Sequence, residues 1–294
     1  MALNLKTLAT RSASAAVFVV LLVGCVYWNY ISFSLFFFAV SMIGLNEFFK
    51  IAEKMGAKPF KVVGFILGAL IYFSFINPGG HSLISYIDSF VFINDLRWFS
   101  KTLLISGPFI MLTVALFSKK ENSIKNALFT LGGIMYAIIP FALLNQTVCF
   151  SGHYSEGLFK PMLILGVIFL IWSNDTFAYL GGSLFGKHKM IERVSPGKTW
   201  EGTITGVLIT FGLSFLFNDH IYKLEGIYGW TLIGIMVPIL ATIGDLVESK
   251  LKREAGIKDS GNIMPGHGGI LDRFDSLIFV SPFIYVIFVF FRFH

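Results

Sequence analysis

Residues 228–292 read YGWTLIGIMVPILATIGDLVESKLKREAGIKDSGNIMPGHGGILDRFDSLIFVSPFIYVIFVFFR, a pattern that indicates how this chain folds. Two apolar runs, at about 228–248 and 275–292, enclose a polar segment at 249–275. An α-helix needs about 20 mostly apolar residues to cross the hydrocarbon core of a bilayer. The centre of the polar segment is rich in glycine and contains Pro265, so one continuous helix is excluded. The pattern predicts two membrane helices joined by a charged, tightly turning loop.

The composition of the whole chain agrees with this interpretation. Of its 294 residues 55% are hydrophobic and 14% are charged, and the mean hydropathy is +0.75. Ordinary soluble domains carry about 25% charged residues. Because no strand-like alternation is visible, the sequence predicts an all-α polytopic membrane protein. The two cysteines lie in or beside apolar runs, and we expect neither a disulfide nor a cysteine zinc site.

Similar apolar runs recur along the chain and predict a bundle of about nine transmembrane helices. Their approximate limits are 13–30, 32–49, 61–77, 102–118, 127–147, 161–183, 202–217, 228–248 and 275–292. We expect one integral membrane unit with two groups of helices, spans 1–5 in residues 1–160 and spans 6–9 in residues 161–294. The second group carries two polar loops, at 184–201 and 249–275.

The basic residues fall mainly on alternate loops of this arrangement, as they do where those loops are cytoplasmic. Only five of the 23 Lys and Arg residues lie on the opposite side, namely Arg97, Lys101, Lys160, Lys223 and Arg292. The distribution predicts a cytoplasmic N-terminus, an external C-terminus and cytoplasmic polar loops. We interpret the net charge of +6 as a topology signal with attraction to anionic lipid, and expect no nucleic-acid partner.

Carboxylates inside or beside the apolar runs are the first candidate site residues, since charge at membrane depth is costly. Asp175 lies in the sixth span and Asp245 at the end of the eighth. For each, the alternative is a structural ion pair or a carboxylate that simply reaches the headgroup layer. If the eighth helix continues to about residue 253, Asp245, Ser249 and Lys252 share one face. Asp272 and Asp275 share a face at the start of the ninth helix. Such paired carboxylates suit Mg²⁺.

The loop at 184–201 carries a second polar cluster, SPGKTWEG at 195–202. A P-loop is excluded, because the first glycine of that motif would fall at Glu192 and no buried strand precedes it. A phosphate site at a helix N-terminus, with Lys198 as the charge and Thr199 as a hydroxyl donor, competes with an ordinary turn and helix start. In the other loop, His267 has three possible roles: a phosphate hydrogen-bond donor, an acid or base, or a turn residue.

Taken together, these residues resemble the signature of the phosphatidate cytidylyltransferases, also called CDP-diacylglycerol synthases. The matching positions are Ser249, Lys252, Arg253, Lys258, Asp259, Pro265, His267, Gly268, Gly269, Asp272, Arg273 and Asp275. Gly244, Asp245 and Leu246, with Ser195, Pro196, Lys198, Thr199, Glu201 and Gly202, also look like that family. The resemblance covers about residues 170–290, and Met264 is a mild departure from the usual Leu, Ile or Phe.

The resemblance implies transfer of the cytidylyl group of CTP to phosphatidate for phospholipid synthesis, giving CDP-diacylglycerol and pyrophosphate. It also implies a homodimer in a bacterial inner membrane and a requirement for Mg²⁺, with a second, monovalent cation such as K⁺. Asp245 and Asp272 stand at the metal positions. The expected catalytic residues are Lys252, Arg253, Lys258, Asp259, His267, Arg273 and Asp275. The expected substrate-binding residues are Asp175, Ser195, Lys198, Thr199, Glu201, Ser249, Gly268 and Gly269.

Two alternatives remain at the level of sequence. Another CTP-using membrane enzyme, such as a polyprenol or dolichol kinase-like protein or a cytidylyltransferase for a different lipid phosphate, would need similar residues. An ion-coupled transporter could also carry membrane carboxylates and helices broken by glycine, although no inverted repeat is visible. Two small-residue spacings, Gly64/Gly68 and Gly202/Gly206, fit close helix contacts and give weak support for a dimer.

Overall fold

The structure, a computed structural model, describes residues 5–76, 91–149, 159–220, 228–263 and 268–292. In these residues the chain is almost entirely helical. The helices are α1 (Leu5–Trp28), α2 (Tyr30–Lys54), α3 (Lys61–Ser74), α4 (Val91–Phe117), α5 (Ser123–Ala137), α6 (Ile139–Thr147), α7 (Pro161–Phe185), α8 (Trp200–His220), α9 (Tyr228–Glu254) and α10 (Leu271–Arg292). His267, one of the expected catalytic residues, lies outside the described residues.

Every predicted span overlaps a helix, and the predicted all-α polytopic membrane fold is confirmed. Five segments in the described part of the chain are long and apolar enough to cross a bilayer: Tyr30–Lys54, Ser123–Thr147, Pro161–Phe185, Trp200–Phe217 and Gly229–Glu254. The predicted fifth span consists of α5 and α6, which meet at Ile138 and count as one of these segments. The number of crossings and the sides of the two termini remain predictions.

A small β-hairpin, which the sequence did not predict, fills the polar loop between α7 and α8. Its strands β1 (Lys189–Ile191) and β2 (Ser195–Thr199) are antiparallel, with Lys189 opposite Thr199 and Ile191 opposite Ser195. Helix α8 begins at the next residue after β2. The hairpin therefore fixes the position of residues 195–199 relative to the start of α8.

Helices α7 and α8 lie unusually close together because glycines line their contact. A Cβ atom on Gly202 would lie 2.5 Å from the carbonyl oxygen of Ala178, and one on Gly206 would lie 2.7 Å from Oδ1 of Asn174. Gly64 and Gly68 similarly face Phe49 and other side chains of the same chain. All four glycines thus serve packing within one protomer, and they no longer support a dimer.

An aromatic cluster fixes α10 against the N-terminal helices. The ring of Phe274 lies 5.6 Å from those of Phe18 and Phe141 and 6.2 Å from that of Phe37, all nearly edge to face. Phe37, Phe141 and Phe274 are buried. Because edge-to-face pairs are favourable contacts, the start of α10 is held firmly between α1, α2 and α6.

Candidate active site

A cavity of about 1290 Å³ opens among α1, α7, β2, α9 and α10. One part of its wall is polar and contains most of the carboxylates and cations singled out in the sequence. Another part is apolar and includes Phe18, Val19 and Leu22 of α1 together with Ile171 and Trp172 of α7. The cavity therefore presents both a charged region and an apolar region to one ligand.

Three carboxylates gather near the polar end of the cavity, where Asp245 and Asp275 line the wall. Ligand oxygens of Asp245, Glu248 and Asp275 all lie within 4.8 Å of one another. The Glu248 side chain is 1% exposed, and its Oε1 has no hydrogen-bond partner in the described part of the chain. The geometry arises because α9 continues to Glu254, as predicted, so residues 245 and 248 face the start of α10.

Lysines from two separate segments pair with these carboxylates. Nζ of Lys198, in β2, lies 2.6 Å from Oδ2 of Asp245. Nζ of Lys252 contacts Glu248 and lies 2.6 Å from Oδ1 of Asp272. Ser249 donates a hydrogen bond of 3.2 Å to Asp245. Lys198 of the first polar loop and Lys252 of the second therefore pair with carboxylates of the same site.

Asp272 is surrounded by donors from the protein itself. Its Oδ1 accepts from Lys252, and its Oδ2 accepts from the backbone N of Ser260 at 2.8 Å, the Ser260 hydroxyl at 2.9 Å and the backbone N of Gly269 at 2.7 Å. Gly268, with φ of +80°, occupies a left-handed conformation that favours glycine. In this structure Asp272 organises the loop before α10, and its expected role as a metal ligand remains a prediction.

Most of the remaining expected residues also face the cavity. The loop and α10 contribute cations and a carboxylate, and α7 and β2 contribute from the opposite side. The residues concerned are Asp175, Ser195, Lys258, Asp259, Gly268 and Arg273. Together with the lysines and carboxylates already described, they give the polar region closely mixed cations and carboxylates.

Four of the expected site residues form hydrogen bonds that stabilise the loops around the cavity. Nε of Arg253 donates to the carbonyl of Val194 at 3.4 Å, and Glu201 accepts from His188 Nδ1 at 2.5 Å. Thr199 lines the cavity, but its hydroxyl oxygen accepts from the backbone N of Gly202 at the start of α8. The backbone N of Gly269 donates a hydrogen bond to Asp272. Arg253 and Glu201 thus secure the hairpin, and neither lines the cavity in the described residues.

Sequence reasoning missed one buried carboxylate beside this site. Glu47 of α2 is 1% exposed and contacts the loop that precedes α10. The signal was available, because a single glutamate within the apolar run 32–49 is an ionisable group at membrane depth. The contribution of α1 to the cavity was also missed, since Phe18, Val19 and Leu22 look like ordinary residues of a membrane helix.

The fold and the site define a multi-pass α-helical membrane protein with a cavity lined by carboxylates, cations and apolar side chains. The family described as the cytidylyltransferase family matches residues 9–291, and the chain belongs to that family. The match covers nearly the whole chain, so it extends well beyond residues 170–290, which carry the motifs.

Individual relatives agree with this assignment. The chain is 37% identical over 202 residues to a phosphatidate cytidylyltransferase of Staphylococcus saprophyticus, which covers 69% of this chain and 73% of the relative. It is 32% identical over 266 residues to a phosphatidate cytidylyltransferase of Haemophilus influenzae, covering 85% of this chain and 88% of the relative. Similarity to the second relative therefore includes the N-terminal helices.

Proposed function

We propose that this protein transfers the cytidylyl group of CTP to phosphatidate, giving CDP-diacylglycerol and pyrophosphate for phospholipid synthesis. One observation carries the proposal: a single cavity joins a cluster of carboxylates and cations to an apolar wall. A substrate with a phosphate headgroup and acyl chains matches both parts. The names of the two relatives described above, both phosphatidate cytidylyltransferases, agree with this substrate pair.

The reaction needs little covalent help from the protein. An oxygen of the phosphatidate phosphate attacks the α-phosphorus of CTP, a new P–O bond forms, and the bond from that phosphorus to pyrophosphate breaks. A phosphate is already a competent nucleophile at neutral pH, so no serine or cysteine nucleophile is required. The difficulty is to bring two polyanions together, which makes positioning and charge neutralisation the main sources of rate.

The cations of the cavity suit that task. Lys198 and Lys252 already neutralise carboxylates, and Lys258 and Arg273 line the same space. We assign these four side chains to the phosphates of CTP and of the lipid. The apolar side chains of α1 and α7 would accept the acyl chains, which enter sideways from the bilayer.

The carboxylate cluster fits a hard divalent cation. Asp245, Glu248 and Asp275 present oxygen ligands only, and the unpartnered buried Oε1 of Glu248 is a group that such a cation would satisfy. We propose that these three residues hold Mg²⁺, which when bound would neutralise charge on the CTP phosphates. Asp272, which the resemblance places at a metal position, and a second cation such as K⁺ remain predictions.

The cellular setting is part of the proposal. We infer that the cavity faces the cytoplasm of a bacterium from its inner membrane, because the basic loops lie on that side and CTP is cytoplasmic. The homodimer that the resemblance implies is part of the same proposal.

Product analysis tests the proposal. Purified protein is incubated with phosphatidate, Mg²⁺ and CTP labelled at either the α- or the γ-phosphate. We expect the α-label in an organic-phase lipid and the γ-label in pyrophosphate. Transfer of the γ-label to lipid would identify a kinase, and the absence of phosphatidate-dependent product would refute both activities.

A further inference from the structure

Glu47 contacts two residues of the loop before α10 and the first residue of α10, although it lies more than 200 positions earlier in the chain. Its Oε1 accepts from the backbone N of Ile270 at 3.0 Å, and its Oε2 accepts from the backbone N of Leu271 at 2.9 Å. The hydroxyl of Ser260 lies 2.9 Å from the same Oε2. The carboxylate is buried, so all these contacts are shielded from water.

The contact with Leu271, the first residue of α10, explains how this helix can begin inside the protein. The backbone N–H groups at the start of a helix have no partner within the helix and need one from elsewhere. A carboxylate at this position accepts those hydrogen bonds and interacts favourably with the positive end of the helix dipole. Glu47 therefore secures the start of α10 from the neighbouring helix α2.

Two glycines of the loop make room for this carboxylate. A Cβ atom on Gly261 or on Gly269 would collide with the carboxylate of Glu47. Neither glycine has a positive φ, so backbone conformation does not account for them. Their presence reflects the close approach of Glu47 to the loop backbone.

Ser260 links Glu47 to Asp272. Its Oγ lies 2.9 Å from both Oε2 of Glu47 and Oδ2 of Asp272, and its backbone N donates to Asp272. The single hydroxyl proton serves one carboxylate at a time, so Ser260 bridges the two. Lys258, which lines the cavity, and Asp272 lie at either end of this segment. Hydrogen bonds hold the segment in place at Ser260 and again at Ile270 and Leu271.

We propose that Glu47 is a positioning residue for the active site. It touches no substrate group; it holds the loop carrying Lys258 and Asp259, and the start of α10 carrying Asp272, Arg273 and Asp275. This role in turnover rests on the proposed function. The hydrogen bonds by which Glu47 holds the loop do not depend on that function. A carboxylate from the N-terminal helices thereby helps to set the geometry of a site whose charged groups come from the C-terminal half.

The test compares Glu47→Gln with Glu53→Gln in the full-length protein. Glu53 lies on the same helix, with its side chain 44% exposed and paired with Lys61. Amide hydrogen exchange, measured without substrate, is expected to accelerate in Glu47→Gln in peptides containing Ser260 or Gly269 to Leu271, and to stay unchanged elsewhere. At a temperature where all variants remain folded, the phosphatidate-dependent turnover of Glu47→Gln is expected to fall by about a hundredfold relative to Glu53→Gln. Small misplacements of groups in a catalytic site have effects of this size.

Ser260→Ala provides a second variant if Glu47→Gln does not fold. It preserves both carboxylates and removes only the bridging hydroxyl, and we expect faster local exchange with a smaller loss of turnover. Unchanged exchange at these amides, or wild-type turnover in a folded Glu47→Gln protein, would overturn the proposal. A wild-type protein without phosphatidate-dependent activity would instead refute the proposed function, and the exchange result would still decide whether Glu47 fastens the loop.

Discussion

At the scale of single residues, Lys198 shows how the hairpin loop and α9 meet at one cavity. It comes from the hairpin between α7 and α8, yet its ammonium group lies 2.6 Å from the carboxylate of Asp245 on α9. The two side chains are 24% and 35% exposed and line the cavity, so substrate phosphates can reach them. A partly exposed pair of this kind contributes about 1 kcal/mol or less to stability. We therefore propose that the pair serves binding and catalysis.

Replacing Lys198 by Met tests this assignment. We expect the rate of CDP-lipid formation to fall by at least about a hundredfold, because a charge aimed at the reacting phosphates is lost. The thermal unfolding midpoint should change little. Lys250→Met is the matched control, since Lys250 forms an exposed pair with Glu254 and does not line the cavity. Equal rates in the two variants would remove Lys198 from the site.

At the scale of elements, the contact between α7 and α8 holds one wall of the cavity in place. Asp175 and Lys198 belong to α7 and to the strand that runs into α8, so the distance between these helices affects the position of both. The contact is close because Gly202 meets the backbone of α7 directly. Small residues allow such an approach in membrane helices.

Gly202→Ala is expected to destabilise the protein by about 1–3 kcal/mol through overpacking. A Cβ atom there would lie 2.5 Å from a carbonyl oxygen and 2.9 Å from backbone atoms of Gly182, none of which can move aside easily. Gly212→Ala on the same helix has no heavy atom within 4 Å of the added Cβ and should keep or slightly raise stability. Thermal unfolding in detergent measures both, and equal midpoints would contradict the packing account.

Predictions from sequence succeeded where a pattern is local. The apolar runs located the helices, and the spacing of Asp245, Ser249 and Lys252 correctly predicted one face of α9. The hairpin was missed because its strands are short and contain Pro196 and Gly197, which look like a turn. The local pattern could have marked Glu47 as a candidate, but its partners lie far along the chain, and no local pattern encodes those contacts.

At the scale of the whole molecule, the N-terminal helices form part of the site. Helix α1 provides apolar side chains to the cavity, and α2 supplies Glu47 to the loop before α10. The sequence grouped spans 1–5 apart from the helices with the charged loops. In the structure, helices of both groups line one cavity and contribute to one aromatic cluster. This arrangement agrees with a family match that extends over residues 9–291.

The predicted topology has a direct test. A reporter that is active only in the cytoplasm, fused to the C-terminus, should be silent because nine crossings place that end outside. The same reporter fused after Lys120, in a loop predicted to be cytoplasmic, should be active. Activity at the C-terminus would show that the number of crossings is even and would require a different assignment of the loops.

The central claim is that the charged cavity joins CTP to phosphatidate. Its most direct test measures pyrophosphate release by the purified protein from CTP and Mg²⁺, with and without phosphatidate. We predict release that requires phosphatidate and that falls about a hundredfold in Asp245→Asn, because a carboxylate of the proposed Mg²⁺ site is lost. Glu254→Gln, an exposed change on the same helix, should retain the wild-type rate. Pyrophosphate release that is absent, or that is equal without phosphatidate, would contradict the claim.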